Sequence, residues 1–294
     1  MLSRSLPYLA LILNALVWGT SWWPLREMQS DGLHPLWASA GTYLLGSVVI
    51  IALQPGVLKE FITHRPLWLL ALAAGATMCG FNWGVTIAEV IRVVLLFYLM
   101  PIWALLFARF ILNEPLSWQS VGRVVMALVG AILVLSPEGE IGLPRPSNLG
   151  EWLGLFGGAC FALNNVMLRH QQARSEQARL FAMFVGGIFI PVLLALFLDS
   201  IGSNLVPLPT GISGYGLVVL LVFSGLLVAA NYGLQYGAAR LSASVTAVVM
   251  LSEVVFATLS AILLTEETLT WQTGGGGALI LAAAALSALD PRAP

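Results

Sequence analysis

The chain has 294 residues, of which 59% are hydrophobic and 9% charged, with a mean hydropathy of +0.90 and a net charge of −1. A soluble domain carries about 25% charged residues, and a soluble core of this size cannot hide so much apolar surface, so the composition indicates an integral membrane protein. With no long basic run, a nucleic-acid partner is set aside, and two cysteines, Cys79 and Cys160, both inside apolar runs, make no disulfide framework.

A membrane-crossing helix needs about 20 mostly apolar residues. The sequence predicts ten, at about 7–25, 36–54, 67–87, 91–112, 118–136, 151–169, 179–198, 214–238, 242–264 and 272–289. The first run is longer than the ~7–15 apolar residues of a cleaved secretory signal, so it is taken as a span. Within it Asn14, Trp18, Ser21 and Trp22 fall on one helical stripe with polar content. The third run carries Asn82. The fourth, with no charge from Val93 to Ala108, carries Tyr98, Pro101 and Trp103. A proline frees the carbonyl four residues earlier, here Phe97, which is tolerable in a bilayer where it faces a wet cavity instead of lipid. Tyr98 and Pro101 share a face, whereas Trp103 lies nearly opposite Tyr98 unless the kink turns it.

Arg123, in the fifth run, lies one turn from the membrane surface and reads as a snorkelling side chain. The sixth run carries Gly157, Phe161, Asn164 and Asn165, the eighth Asn231 and Tyr232, and the ninth Glu253. A mid-membrane carboxylate costs a few kcal/mol and faces a cavity or a partner. Glu253 is read as a proton-coupling group, as the receiver of a substrate ammonium, or as a neutral acid that staples its helix to a neighbour. The amides and hydroxyls have a plainer reading too, as hydrogen-bonding glue between helices. The glycine run 274–277 lacks the Lys and Ser/Thr of a phosphate loop. Gly274, Ala278 and Ala282, spaced by four, suggest close helix packing.

The Pro-, Gly- and Ser-rich connections 136–150 and 200–213 are the longest, and none is large enough for a soluble domain. Placing the N-terminus inside puts Arg4, Lys59, Arg65, Arg109, Arg169, Arg174, Arg179, Arg240 and Arg292 in inner segments and Arg26, Arg92 and Arg145 outside. The positive-inside rule therefore puts both termini in the cytoplasm.

The sequence also repeats. "LNEPLSWQSVG" (112–122) matches "TEETLTWQTGG" (265–275), pairing Glu114 with Glu267 and Trp118 with Trp271. "FNWGV" (81–85) matches "ANYGL" (230–234), pairing Asn82 with Asn231. A weaker match sets Trp18 on Phe161, Ser21 on Asn164 and Arg26 on Arg169. Five spans are an odd number, so the second copy crosses the membrane upside down, a plan common to secondary transporters, whose sites lie between repeats near the midplane. The expected halves are residues 1–145 and 146–294.

"YLMPIWALLFARFILNEPLSWQSVG", "MLSEVVFATLSAILLTEETLTWQTGG" and "ALVWGTSWWPLR" resemble the fourth, ninth and first spans of EamA-type drug/metabolite transporters. The fourth-span wording is most similar to YddG-like aromatic amino acid exporters. The resemblance implies an all-α membrane protein of ten helices, two inverted five-helix repeats around a central cavity. Spans one, three, four, six, eight and nine would line the cavity, and five and ten would lie at its periphery. Where the family has Glu-Pro in the ninth span this chain has Glu253-Val254, so the second copy lacks the proline kink.

The function expected is export of amino acids, aromatic ones preferred, across a bacterial cytoplasmic membrane by alternating access. The candidate substrate-binding residues are Trp18, Ser21, Asn82, Tyr98, Pro101, Trp103, Asn164, Asn165, Asn231, Tyr232 and Glu253. The runner-up keeps the fold and takes lipophilic cations or drugs, with Glu253 binding the cation. A membrane-embedded enzyme or scaffold fits less well, because His34, His64 and His170 lie in or beside loops with no catalytic set at one depth. No cofactor or metal is expected. The expected partners are a small-molecule substrate and the lipid bilayer, and a monomer suffices.

Overall fold

The computed structural model describes residues 2–111, 113, 118–136, 145–203, 205–209, 211–238, 240–241, 246 and 249–288, and among them the secondary structure is helical with no strand. The helices are α1 (Leu2–Gly19), α2 (Trp22–Ser30), α3 (Pro35–Leu53), α4 (Gly56–Thr63), α5 (Pro66–Ile87), α6 (Val90–Phe97), α7 (Met100–Ile111), α8 (Trp118–Leu135), α9 (Leu149–His170), α10 (Glu176–Ser200), α11 (Gly214–Ala238), α12 (Ser252–Leu264) and α13 (Trp271–Ala288). Among the described residues, five segments are long and apolar enough to cross a membrane: Pro35–Leu53, Pro66–Ile87, Val90–Ile111, Glu176–Ser200 and Gly214–Leu234.

Three predicted spans are interrupted, the first at Thr20–Ser21, the fourth at Tyr98–Leu99 and the ninth at Leu251. The first apolar run stops at Thr20 and Ser21, whose hydroxyls take the carbonyls of Leu16 and Trp18, both at 2.7 Å. Both carbonyls also accept from the backbone amides of Thr20 and Ser21, and after this turn the chain restarts as α2. The fourth run turns at Tyr98–Leu99, so Pro101 is the second residue of α7. In that first turn its missing N–H breaks no hydrogen bond. A helix not foreseen, α4, fills the 54–66 connection and buries Val57.

Glycines set the closest helix crossings. A Cβ on Gly80 would stand 2.8 Å from the Cα of Gly157, so α5 and α9 meet backbone to backbone. Gly130 of α8 and Gly276 of α13 meet in the same way. This corrects the packing stripe read from the tenth span. The buried face of α13 runs through Gly276, Gly277, Ile280, Ala283 and Ala284, while Ala278 and Ala282 face outward. Spacing by four alone could not say which of two small-residue stripes faces α8. Arg123 reaches the carbonyl of Leu286 at 3.3 Å, a partner near the C-terminus of α13.

Candidate functional site

The interrupted fourth run and α12 meet at one point. The Tyr98 hydroxyl lies in hydrogen-bonding reach of the Glu253 carboxylate. Glu253 is half-buried. It sits in the first turn of α12, where the positive end of the helix favours an acid. The ninth run is also interrupted here, by a turn at Leu251, with the Ser252 hydroxyl on the Val249 carbonyl at 2.7 Å. The second copy has no proline here, as its sequence shows, yet its run turns at the place that corresponds to Tyr98–Leu99, with a serine hydroxyl at the turn.

Aromatic rings gather beside this contact. Phe97 stands 4.9 Å from Phe81, 5.2 Å from Phe161 and 6.0 Å from Tyr98, measured between ring centroids. Trp18 packs against the same apolar cluster, half-buried. Gly19 faces the Glu253 backbone so closely that a Cβ would collide with it, which lets α1 and α12 cross. Trp22 ties α2 to α12 in turn, its Nε1 donating to the Ser260 hydroxyl at 2.9 Å. The Phe97 carbonyl, expected to meet a wet cavity, instead presses on Gly158 of α9.

The predicted polar residues divide. Asn14 is wholly buried with neither amide atom hydrogen-bonded, and Asn82 Oδ1, Asn164 Oδ1 and Trp103 Nε1 are likewise buried without partners. Leaving such groups unmade costs about 1–3 kcal/mol each, so they mark positions where a polar guest would be accepted. Asn82 Nδ2 does have a partner, the Ser39 hydroxyl at 2.7 Å, and Asn164 Nδ2 donates to Asn165 Oδ1 at 3.3 Å. Ser21 is buried with its hydroxyl on Trp18, and Asn165 is exposed. Pro101 and Trp103 are half-buried, and among the described residues Trp103 stands outside the aromatic cluster. Asn231 donates to the Leu227 carbonyl, and with the exposed Tyr232 it borders a crevice walled by Gly46, Ile50, Leu180 and Phe184, away from Glu253.

A second polar feature was not foreseen. A cavity of about 700 Å³ opens beside the end of α5, the start of α6 and the α12–α13 connection, with Arg26, Glu89, Arg92 and Glu267 in its wall. Glu267 caps α6, accepting from the Val90 and Ile91 amides at 2.9 and 3.1 Å, and stands 3.7 Å from Arg26. Arg26 also donates to the Val85 and Ala88 carbonyls and lies over the Trp22 ring. Burial pulls the Arg26 pKa down and the Glu267 carboxylate opposes that pull, and the guanidinium keeps its charge at any physiological pH. Nearby, Arg92 binds Glu151 at 2.8 Å and the Val134 carbonyl at 2.8 Å. Asn148, which accepts from the Glu151 amide, starts α9 as part of this network. The three-residue step from Asn148 to Glu151, a capping pattern, was the available signal.

Comparison with known proteins follows the same lines. An uncharacterized transporter from Clostridium kluyveri is 23% identical over 276 residues, 89% of this chain and 86% of the relative. A protein of known crystal structure superposes with a TM-score of 0.60 at 18% identity over 96% of both chains, a likeness of fold. The profile of the EamA-like transporter family matches residues 5–136 and again 148–289. With nearly its whole length matched, the chain belongs to the EamA-like transporter family, whose members move small molecules across membranes.

Proposed function

We propose that the protein is a secondary exporter of amino acids, preferring aromatic ones, and that it works by alternating access across the bacterial cytoplasmic membrane with both termini inside. The observation that carries this reading is the contact of Tyr98 with Glu253 beside the Phe81–Phe97–Phe161 cluster. A carboxylate suits an ammonium group, and packed rings suit an aromatic side chain. The unpartnered amide of Asn14 and the unpartnered amide oxygens of Asn82 and Asn164 supply neutral hydrogen-bonding groups for a zwitterion. A phosphate or polyanion would want several Arg or Lys instead. Trp18, Ser21, Pro101 and Trp103 complete the proposed wall. Asn165, Asn231 and Tyr232 join it only in a conformation that differs from this one.

Ten spans arranged as inverted repeats, with halves 1–145 and 146–294, remain part of this proposal. Two matches of one family profile support it, as do helix interruptions at corresponding places, Tyr98–Leu99 and Leu251. In that plan the halves rock about the central site, and solute or ion gradients drive net flux. The test is efflux from proteoliposomes loaded with a panel of amino acids, with and without a pH gradient. Phenylalanine, tyrosine and tryptophan are expected to leave fastest. Efflux of a lipophilic cationic dye with no amino acid movement would replace this reading with the drug-export one, which the lone carboxylate among rings also suits.

A further inference from the structure

α1 and α11 touch closely at one end and part toward the other. A Cβ on Gly237 would collide with the Leu11 side chain and the Pro7 carbonyl, and one on Gly233 would stand 3.0 Å from the Ala10 carbonyl oxygen. Nearer their other ends, between Val17 and Leu226, a groove of about 320 Å³ opens beside the α1–α2 turn. Val17 and Phe223 are buried and form its floor. Val218, Val222 and Leu226, a stripe at four-residue steps, stand exposed along its side. In a chain that spans a bilayer, an exposed apolar stripe of this kind lies against acyl chains.

The polar end of the groove is acidic. Glu27 lines it, with Trp23 Nε1 donating to Oε1 at 3.2 Å and the Tyr215 hydroxyl donating to Oε2 at 3.1 Å. Asp31, at the C-terminal cap of α2, accepts from the Ser213 amide at 2.9 Å close by. Among the described residues neither acid has an ion-pair partner, and the adjacent base, Arg26, donates to the Val85 and Ala88 carbonyls instead. Two neutral donors thus fix the Glu27 carboxylate without neutralising it, and its oxygens keep lone pairs for a further donor. Trp23 and Tyr215 are exposed aromatic residues with polar tips, the types that settle at the membrane–water interface. The groove therefore runs from an anionic end at headgroup level into the hydrocarbon.

We propose that this groove holds one phospholipid with a primary-ammonium head of the ethanolamine type. The ammonium donates to Glu27, one acyl chain lies along Val218, Val222 and Leu226, and the phosphate stays in the headgroup layer. A primary ammonium brings three N–H donors, which suit the free lone pairs of a carboxylate. A glycerol head leaves the phosphate charge uncompensated, so Glu27 and Asp31 repel it, and a choline head has no N–H to give. The site goes beyond the transport reading and does not depend on the cargo. The topology proposed above makes its leaflet the outer one. Thr20 lines the groove and the neighbouring Gly19 abuts the Glu253 backbone, so a lipid held here braces the α1–α2 turn from its membrane side.

The test places the whole protein in choline-lipid vesicles that carry a trace of one of three photoreactive phospholipids. All three have the same diazirine-bearing acyl chain, and their heads are ethanolamine, glycerol or choline. After irradiation, adducts are mapped by mass spectrometry on residues 215–226 and, as an internal control, on the exposed α3 residues Leu44, Leu45, Val48 and Val49. On 215–226 the ethanolamine lipid is expected to give about five times the adducts of the glycerol lipid, a difference of about 1 kcal/mol. On the α3 residues the two are expected to be equal. E27Q keeps an acceptor oxygen and loses the charge, and V222W fills the groove away from its acidic end. Each is expected to bring the 215–226 ratio to about one. The parent's own contrast between 215–226 and α3 decides the matter even where a variant fails to fold. Equal ethanolamine and glycerol yields on 215–226 in the parent, or an unchanged ratio in folded E27Q, would overturn the site. A choline yield that matches the ethanolamine one would overturn its hydrogen-bonded primary ammonium. The readout needs no transport: a parent that exports no amino acid but shows this preference keeps the lipid site and loses the cargo reading, and efflux without the preference does the reverse.

Discussion

Gly158→Ala tests why the fourth run can turn at Tyr98. At Gly158 an added Cβ would collide with the Phe97 carbonyl oxygen and stand 3.0 Å from both its carbon and the Phe97 Cα. All three obstacles are backbone, so no side chain can swing away. Overpacking a tight contact costs about 1–3 kcal/mol, and with backbone on both sides the expected loss is at the upper end, about 3 kcal/mol. Pro101→Ala changes that figure in a defined way. An alanine N–H at 101 can take the Phe97 carbonyl in a regular helical bond, drawing the oxygen toward the helix axis and away from α9. Gly158→Ala is therefore expected to cost at least about 1 kcal/mol less in the Pro101→Ala background than alone. The assay is reversible unfolding in detergent by tryptophan fluorescence for the parent, both single variants and the double variant. Strict additivity would refute the claim that the proline-bounded turn and Gly158 are one packing unit.

Glu253→Gln is expected to slow efflux of aromatic amino acids by about tenfold or more, the loss of a charged hydrogen-bonding partner for an ammonium group. Unchanged efflux at several pH values would remove Glu253 from the mechanism. His34 caps α3 by accepting from the Leu36 amide at 3.2 Å, and burial pushes its pKa down to about 4. Its folded pKa lies below the unfolded 6.5, so its contribution to stability is full above pH 6.5 and falls as the pH drops toward 4, by about 3 kcal/mol in total. His34→Asn keeps a capping oxygen and is expected to flatten that part of the stability–pH curve, measured as melting temperature in detergent. Glu151→Ala is expected to destabilise by about 3–5 kcal/mol, because it strands the guanidinium of Arg92. The double change Arg92→Met with Glu151→Leu is expected to cost less than Glu151→Ala; a larger loss would show that the bonds from the Ser147 amide and hydroxyl to Glu151 and from Arg92 to Val134 matter beyond the ion pair.

Much of the helix layout was legible because hydropathy alone decides it: 214–238 is helical as predicted, and α3, α5, α8, α9, α10 and α13 fall within two or three residues of their predicted limits. What escaped depends on where hydroxyls and glycines point. Thr20 and Ser21 look harmless in an apolar run, yet the chain turns at them. Ser252 marks the break in the ninth run, where a proline was sought. For the site, periodicity assembled the Asn14–Trp18–Ser21–Trp22 stripe, and Trp22 proved to reach Ser260 of α12. The partners themselves were not readable. Nothing in spacing says that Tyr98 reaches Glu253, that Asn82 takes Ser39, or that Glu267 caps α6, since each joins residues more than 40 positions apart.

These contacts also bear on how a rocking motion would be resisted. Tyr98 follows α6 and Glu253 lies in the first turn of α12, so their approach brings two interrupted runs together at the turns themselves. The Gly19–Glu253 crossing holds α1 against the same turn, and Gly158 holds Phe97 from the other side. Backbone contacts of this kind do not stretch, because packed interiors shift between discrete arrangements instead of deforming smoothly. A solute that takes the Glu253 carboxylate from Tyr98 removes the one polar tie in this set and leaves the glycine contacts as pivots. α6 carries Tyr98 just beyond one end and the Glu267 cap at the other, only eight residues apart. A helix that short passes a tilt at one end directly to the other.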